Sequence, residues 1–221
     1  MKIQVLYEDN HLIAVFKPAG ILTQGDRSGD ISLIDEVKKY LKEKHKKPGN
    51  VFLGLLHRLD RPVSGIVLFA KTSKGASRLS EQFRNQEIEK IYHAIVSGKP
   101  GNNKGVLVNF LKKDETKNKT LVFNGQKEGW QRAELFYEVL RSNKKYSLLR
   151  VQIKGGKFHQ IRAQLASIGC PILGDVKYGA PFVLDDKSIA LSAISLAFQL
   201  PTKKEIINIK VFSPDNWKKY L

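Results

Sequence analysis

The sequence predicts an α+β chain with a mixed, mainly antiparallel sheet and a few flanking helices. Three observations lead there. Short period-two segments recur along most of the 221 residues, and several are joined by turns too short to hold a crossover helix. Only three segments carry helical spacing with a start signal, and they are scattered between strands. There is no βαβ alternation, and neither GxGxxG nor GxxxxGK[ST] occurs.

Residues 2–8 alternate Ile3, Val5 and Tyr7 against Lys2, Gln4 and Leu6, and residues 11–17 continue as a second strand after a Glu8-Asp9-Asn10 turn. Ser32 opens a helix whose apolar face is Leu33, Val37, Tyr40 and Leu41, with Asp35 where a capping box places its acid. The lysines from Lys42 to Lys47 suit its C-terminal end, where the helix dipole favours cations, and Gly49-Asn50 closes the element. Residues 63–71 form a buried strand, and a second helix over 74–86 places Ala76, Leu79 and Phe83 on one face. Strands follow near 90–97, 106–112 and 118–123, then a pair near 132–141 and 146–154 joined by Asn143-Lys144-Lys145. A third helix is expected from Lys157 to Gly169, stopped by Pro171. Strands near 189–199 and 204–212 and a short helix around Trp217 end the chain.

Composition narrows the function. An apolar content of 42% is that of a folded domain, and the expectation is one domain over residues 1–221. The longest apolar stretches, such as Ile66 to Ala70, are far too short to span a bilayer, and no signal-like run precedes Glu8 and Asp9. Cys170 is the single cysteine, which excludes an internal disulfide. The cytoplasm is the expected location, and a monomer the expected state. The net charge of +17 attracts polyanions, and nucleic acid is the foremost of them. No metal is expected, since the five histidines are dispersed and HExxH spacing is missing.

Three segments hold charged and polar residues that a purely structural chain has little use for. In His57-Arg58-Leu59-Asp60-Arg61-Pro62-Val63-Ser64-Gly65, a carboxylate sits between two cations that favour its ionised form, as a nucleophile requires. The competing explanation is an aspartate that satisfies loop amides. In Lys90-Ile91-Tyr92-His93-Ala94-Ile95-Val96, Tyr92 shares a strand face with Lys90, Ala94 and Val96, where it would stack a base or simply pack. In Gly155-Gly156-Lys157-Phe158-His159-Gln160-Ile161-Arg162, two glycines lead from a strand into a helix, and His159 and Arg162 stand three apart.

Together these segments resemble the RluA-type pseudouridine synthases. HRLDRPVSGIVLFAKT is similar to the family's catalytic motif, Phe16-Lys17-Pro18-Ala19-Gly20 to its early Lys-Pro-x-Gly turn, and KIYHAIVSG to its Lys-x-Tyr-x-Ala-x-Val-x-Gly strand. GGKFHQIRAQLASIGCPILGDVKYG resembles the third motif, and Ala190-Leu191-Ser192-Ala193 with Phe198 and Pro201 its last core strand. Val63, Lys157, Gln164 and Ser192 depart from the residues usual at those places.

The resemblance implies the pseudouridine synthase fold with a central catalytic cleft, as a stand-alone catalytic domain with no S4-type domain. It implies isomerisation of uridine in structured ribosomal or transfer RNA without a cofactor. Asp60 would be the nucleophile, by attack at C1′ or by proton abstraction from the sugar. Arg162 would pair with Asp60, and Tyr92 would stack on the flipped uracil. Arg58 would fill the space left by the extruded base, with His57, Arg61, Lys17, Lys90 and His159 among the residues meeting RNA. Two other readings stand beside this one: a catalytically weak RNA-binding or ribosome-assembly factor on the same fold, and a hydrolase of nucleosidic bonds. The second of these normally requires another nearby carboxylate.

Overall fold

The computed structural model describes residues 3–46 and 48–221. Lys2 and Lys47, which the expected first strand and lysine cluster included, lie outside the described residues. The chain divides into two compact units, residues 1–88 with 195–211, and residues 89–194 with 212–221.

In the first unit, β1 (Gln4–Glu8) and β2 (Leu12–Lys17) form the expected hairpin. Asp9 makes the turn, because its Oδ1 accepts the N–H groups of His11 and Leu12, each at 2.7 Å. Helix α1 (Leu33–Lys44) starts as expected: the Asp35 carboxylate accepts from the Ser32 hydroxyl at 2.6 Å and from its N–H at 3.2 Å. It ends at His45, before the glycine that was expected to stop it. Lys44 reaches back to Glu8 at 2.7 Å, where Lys71 and His45 also converge. Burial alone would raise the Glu8 carboxyl, but the hydrogen bonds from Lys44, Lys71 and His45 hold it at about 2.

A two-residue strand that sequence periodicity is too short to show, β3 (Gly54–Leu55), pairs with β4 (Ser64–Ala70). Every residue of β4 is buried, which explains its unbroken apolar run. Helix α2 (Ser73–Arg84) is capped by the Thr72 hydroxyl, which accepts from the Gly75 N–H. Within this unit the strand order is β1-β2-β4 and then β10 (Leu191–Gln199), of which Ser195–Gln199 belong here, with β11 (Ile206–Lys210) paired to β10. Leu12, Ile66, Leu68, Leu79 and Phe198 form its core.

The second unit is built on antiparallel strands in the order β5-β9-β8-β6-β7: β5 (Glu89–Ser97), β6 (Lys104–Asp114), β7 (Lys119–Phe123), β8 (Gln131–Ser142) and β9 (Tyr146–Lys154). Asn143 closes the β8–β9 hairpin by accepting two backbone N–H groups at its Oδ1. Helix α3 is shorter than its pattern, Gln160–Ser167, because His159 adopts a left-handed conformation (φ 49°) and cannot continue a helix backwards. The C-terminal element around Trp217 is a 3₁₀ turn, Asp215–Tyr220. Among the described residues no helix is long and apolar enough to cross a membrane.

Candidate active site

In the first unit the loop between β3 and β4 carries Asp60, and main-chain bonds on several sides hold it. Leu59 and Val63 are buried and anchor the loop at two points, while Arg58 and Arg61 are exposed and Asp60 is half-buried. The Thr23 hydroxyl donates to the Leu59 carbonyl at 2.8 Å and accepts its N–H at 3.2 Å, so the residue before Asp60 is held at both polar groups. The Val63 N–H closes a turn onto the Asp60 carbonyl at 3.0 Å. Gly20, at φ +88° where a side chain would be strained, donates to the Arg61 carbonyl at 2.8 Å. The Arg61 guanidinium returns the contact, reaching the Gly20 carbonyl at 3.0 Å and Asp30 at 2.8 Å.

Lys17 is the most enclosed of the candidate residues. It is fully buried, and its Nζ donates to the carbonyls of Pro18, Arg61 and Val63 at 3.0, 3.2 and 2.7 Å. Burial pushes the amine down to about 7, the Asp60 carboxylate pulls it back up, and Arg61 lowers it again. Lys17 organises the turn that follows Asp60. His57 is similarly engaged, accepting the Leu68 N–H at Nε2 (3.0 Å) and stacking on Phe83 with ring centroids 5.0 Å apart. Its Nδ1 therefore carries the proton of the neutral ring.

In the second unit, alternation along β5 puts Lys90, Tyr92, Ala94 and Val96 on its buried face, as the spacing predicts. Lys90 donates to the Gly155 carbonyl, and burial lowers its amine to about 8. Gly155 itself sits at φ +79°, the bend that ends β9. Arg162 on α3 is buried and grips the Asp175 carboxylate with two contacts, Nε to Oδ2 at 2.7 Å and Nη2 to Oδ1 at 2.8 Å. Its guanidinium also lies 5.2 Å from the ring centre of Tyr178. The Tyr178 hydroxyl accepts the Thr120 N–H at 2.6 Å and shares a hydrogen bond with His159 Nδ1 at 2.9 Å. The His159 ring stacks on Phe158 with centroids 3.8 Å apart.

Lys17, His57, Arg58, Asp60 and Arg61 are thus gathered in one unit, and Lys90, Tyr92, His159 and Arg162 in the other. Residue-by-residue reading missed Thr23, Thr120, Asp175 and Tyr178. The last two lie in the GDVKYG segment, where an acid and a tyrosine among glycines were a usable signal. Nothing local marks Thr23 or Thr120, whose partners are 36 and 38 or more residues away.

Comparison with known proteins shows the family. A family model described as RNA pseudouridylate synthase matches residues 11–167. The ribosomal large subunit pseudouridine synthase C of Rickettsia prowazekii is 35% identical over 176 residues, which cover 79% of this chain and 56% of that protein. An uncharacterized RNA pseudouridine synthase of Aquifex aeolicus is 31% identical over 229 residues, covering 98% of this chain and 71% of that one. The solved human RNA pseudouridylate synthase domain containing 4 shares 26% identity at a TM-score of 0.80, covering 97% of this chain and 90% of its own. The chain spans little more than half the length of the Rickettsia relative.

Proposed function

Because the chain belongs to the RNA pseudouridylate synthase family, we propose that it isomerises uridine to pseudouridine in structured RNA, with Asp60 as the group acting on the ribose. The observation that carries this reading is the way Asp60 is held. A half-buried carboxylate, flanked by Arg58 and Arg61, sits on a loop pinned by Thr23, Gly20 and Lys17. A carboxylate that merely satisfied loop amides would not need so much of the chain directed at its neighbours' main chain.

In the reaction the N1–C1′ bond breaks, the uracil turns, and a C5–C1′ bond forms while the proton from C5 is lost and N1 gains one. Atoms balance without oxidant, reductant or energy source. Asp60 acts on the sugar, either as nucleophile at C1′ or as base toward a ribose proton. Tyr92 stacks on the extruded uracil, and Arg162, fixed by Asp175, supplies an oriented cation. Arg58, the exposed arginine of the loop, stands in for the flipped base. Arg61 and His159 meet the RNA backbone, while Lys17, Lys90 and His57 position the main chain.

Residues 1–221 act as one catalytic domain, as a monomer in the cytoplasm. Ribosomal RNA is the proposed substrate class, because the Rickettsia relative bears that name; transfer RNA is the alternative. The test is RNA labelled with tritium at uridine C5. Release of label to water in many-fold excess over enzyme, without free uracil, is the expected outcome. Release of uracil would indicate hydrolysis, and no release from any cellular RNA pool would leave an RNA-binding factor.

A further inference from the structure

The sheet of the second unit has a face that the proposed chemistry does not use. Along β6 and β7, Leu111 and Thr120 point inward, and Gln164 of α3 bonds to the Leu107 carbonyl and to Asn109 on that side. The opposite face carries Val106, Val108, Leu121 and Phe123, with Val106 57% and Phe123 45% exposed. Strand register makes them neighbours: Phe110 stands opposite Phe123, and Lys112 opposite Leu121. Trp130, from the loop before β8, brings its ring to 6.0 Å from that of Phe123, and the Lys127 ammonium lies over both rings at 5.2 and 5.3 Å. Such a contiguous apolar strip on a soluble surface marks an interaction site.

Charge identifies the occupant. The same register places Lys104, Lys112, Arg132, Arg150 and Lys154 on this face against Glu134 and Glu138, and against Glu89 of β5, which lies 3.9 Å from Arg150. Glu138 is already engaged by Lys104 at 2.7 Å, and Glu134 by Arg132 and Lys154 at 3.1 and 3.3 Å. The loop adds Lys127 and Glu128, so the excess stays positive. A second copy of the chain would have to bring the same positive face against this one, which like-charge repulsion disfavours. A polyanion with flat π faces meets both halves of the surface: phosphates for the cations, bases for the rings.

We propose that the exposed face of β6, β7 and β8, with Phe123 and Trp130 as its stacking platform, binds a single-stranded segment of RNA. This rests on the reading of the chain as an RNA enzyme, and adds to it a surface on which RNA flanking the modified uridine is held.

The tryptophans make the test direct, because Trp217 is buried and Trp130 is only half-covered. Titration with a short oligouridylate in low salt should quench the protein's emission to saturation, and Trp130→Phe should abolish the quenching. Binding of a labelled oligouridylate, followed by anisotropy, should weaken about fivefold or more when Phe123 and Trp130 are both replaced by alanine. Both positions are solvent-facing, so thermal unfolding should confirm that the variants remain folded. Asp60→Asn should quench like the wild type, so the outcome does not depend on turnover. Absent quenching, quenching retained by Trp130→Phe, or affinity within twofold of wild type in the double variant would overturn the proposal. Sedimentation as a dimer that Phe123→Ala converts to a monomer would overturn it too, in favour of a second copy.

Discussion

Arg162 and Asp175 form a buried fork, with contacts at 2.7 and 2.8 Å between side chains that are 5% and 2% exposed as residues. The two are thirteen positions apart, with the end of α3 and a turn between them. The fork leaves the guanidinium a single orientation, against the ring of Tyr178.

Removing the acid takes from a buried guanidinium the carboxylate that grips it at two points. Asp175→Ala should therefore lose about 3–5 kcal/mol of folding stability, whereas Asp175→Asn, which keeps one acceptor oxygen, should lose less. Denaturant unfolding at neutral pH measures both. An alanine variant within about 1 kcal/mol of the wild type would show that the fork contributes little.

Asp60→Asn and Asp60→Ala should abolish pseudouridine formation while leaving the unfolding midpoint and RNA affinity nearly unchanged, because the loop is held by its neighbours' main chain. Single-turnover tritium release is the readout. Turnover within about tenfold of wild type in both variants, a loss of only about 1.4 kcal/mol, would remove Asp60 from the chemistry.

Lys17 makes stability depend on pH in a defined direction. Its amine titrates near 7 in the folded chain and at 10.5 as a free side chain, so between those values the unfolded chain binds more protons. Stability contributed by this group therefore rises with pH from about 7 to 10, with a slope of up to about 1.4 kcal/mol per pH unit, and below 7 the cost of charging the buried amine is fully present. The unfolding free energy of wild type minus that of Lys17→Met should rise across that window. A constant difference would mean that the amine stays protonated on its three carbonyls.

Arg58→Ala should slow modification of a structured stem-loop far more than that of a short unstructured strand. An exposed arginine that replaces the extruded base matters most where the base must first be unstacked, at a cost of a few kcal/mol. Parallel rate measurements on the two substrates check this, and equal losses would assign Arg58 to general attraction.

RNA affinity should fall steeply with salt. If about five phosphates are neutralised, the slope of log affinity on log salt should lie near −3.5 to −4.5. The +17 charge motivates the expectation. Titrations between low and physiological salt supply the slope, and a flat line would assign the charge to another use.

The sequence by itself determined the α+β class, most strands to within a few residues, the capped helices α1 and α2, and the family to which the chain belongs. These are matters of local periodicity, turn chemistry and contiguous motifs. Asp60, Tyr92 and Arg162 stand out as candidates for the same reason.

What each charged side chain does was decided only by tertiary structure. Lys17 reads as a basic residue before a proline turn, yet it is buried because the carbonyls of Arg61 and Val63 lie 44 and 46 residues away in sequence but within hydrogen-bond reach in space. His57 reads as one more residue of the motif, and only the fold shows that its Nε2 accepts a hydrogen bond from the Leu68 N–H. Helix α3 loses its first expected turn to the left-handed conformation of His159, whose ring is held by Phe158 and Tyr178. A lone motif carries no record of its neighbours. Desolvation and the pairing of buried polar groups depend on those neighbours, and folding alone brings them together.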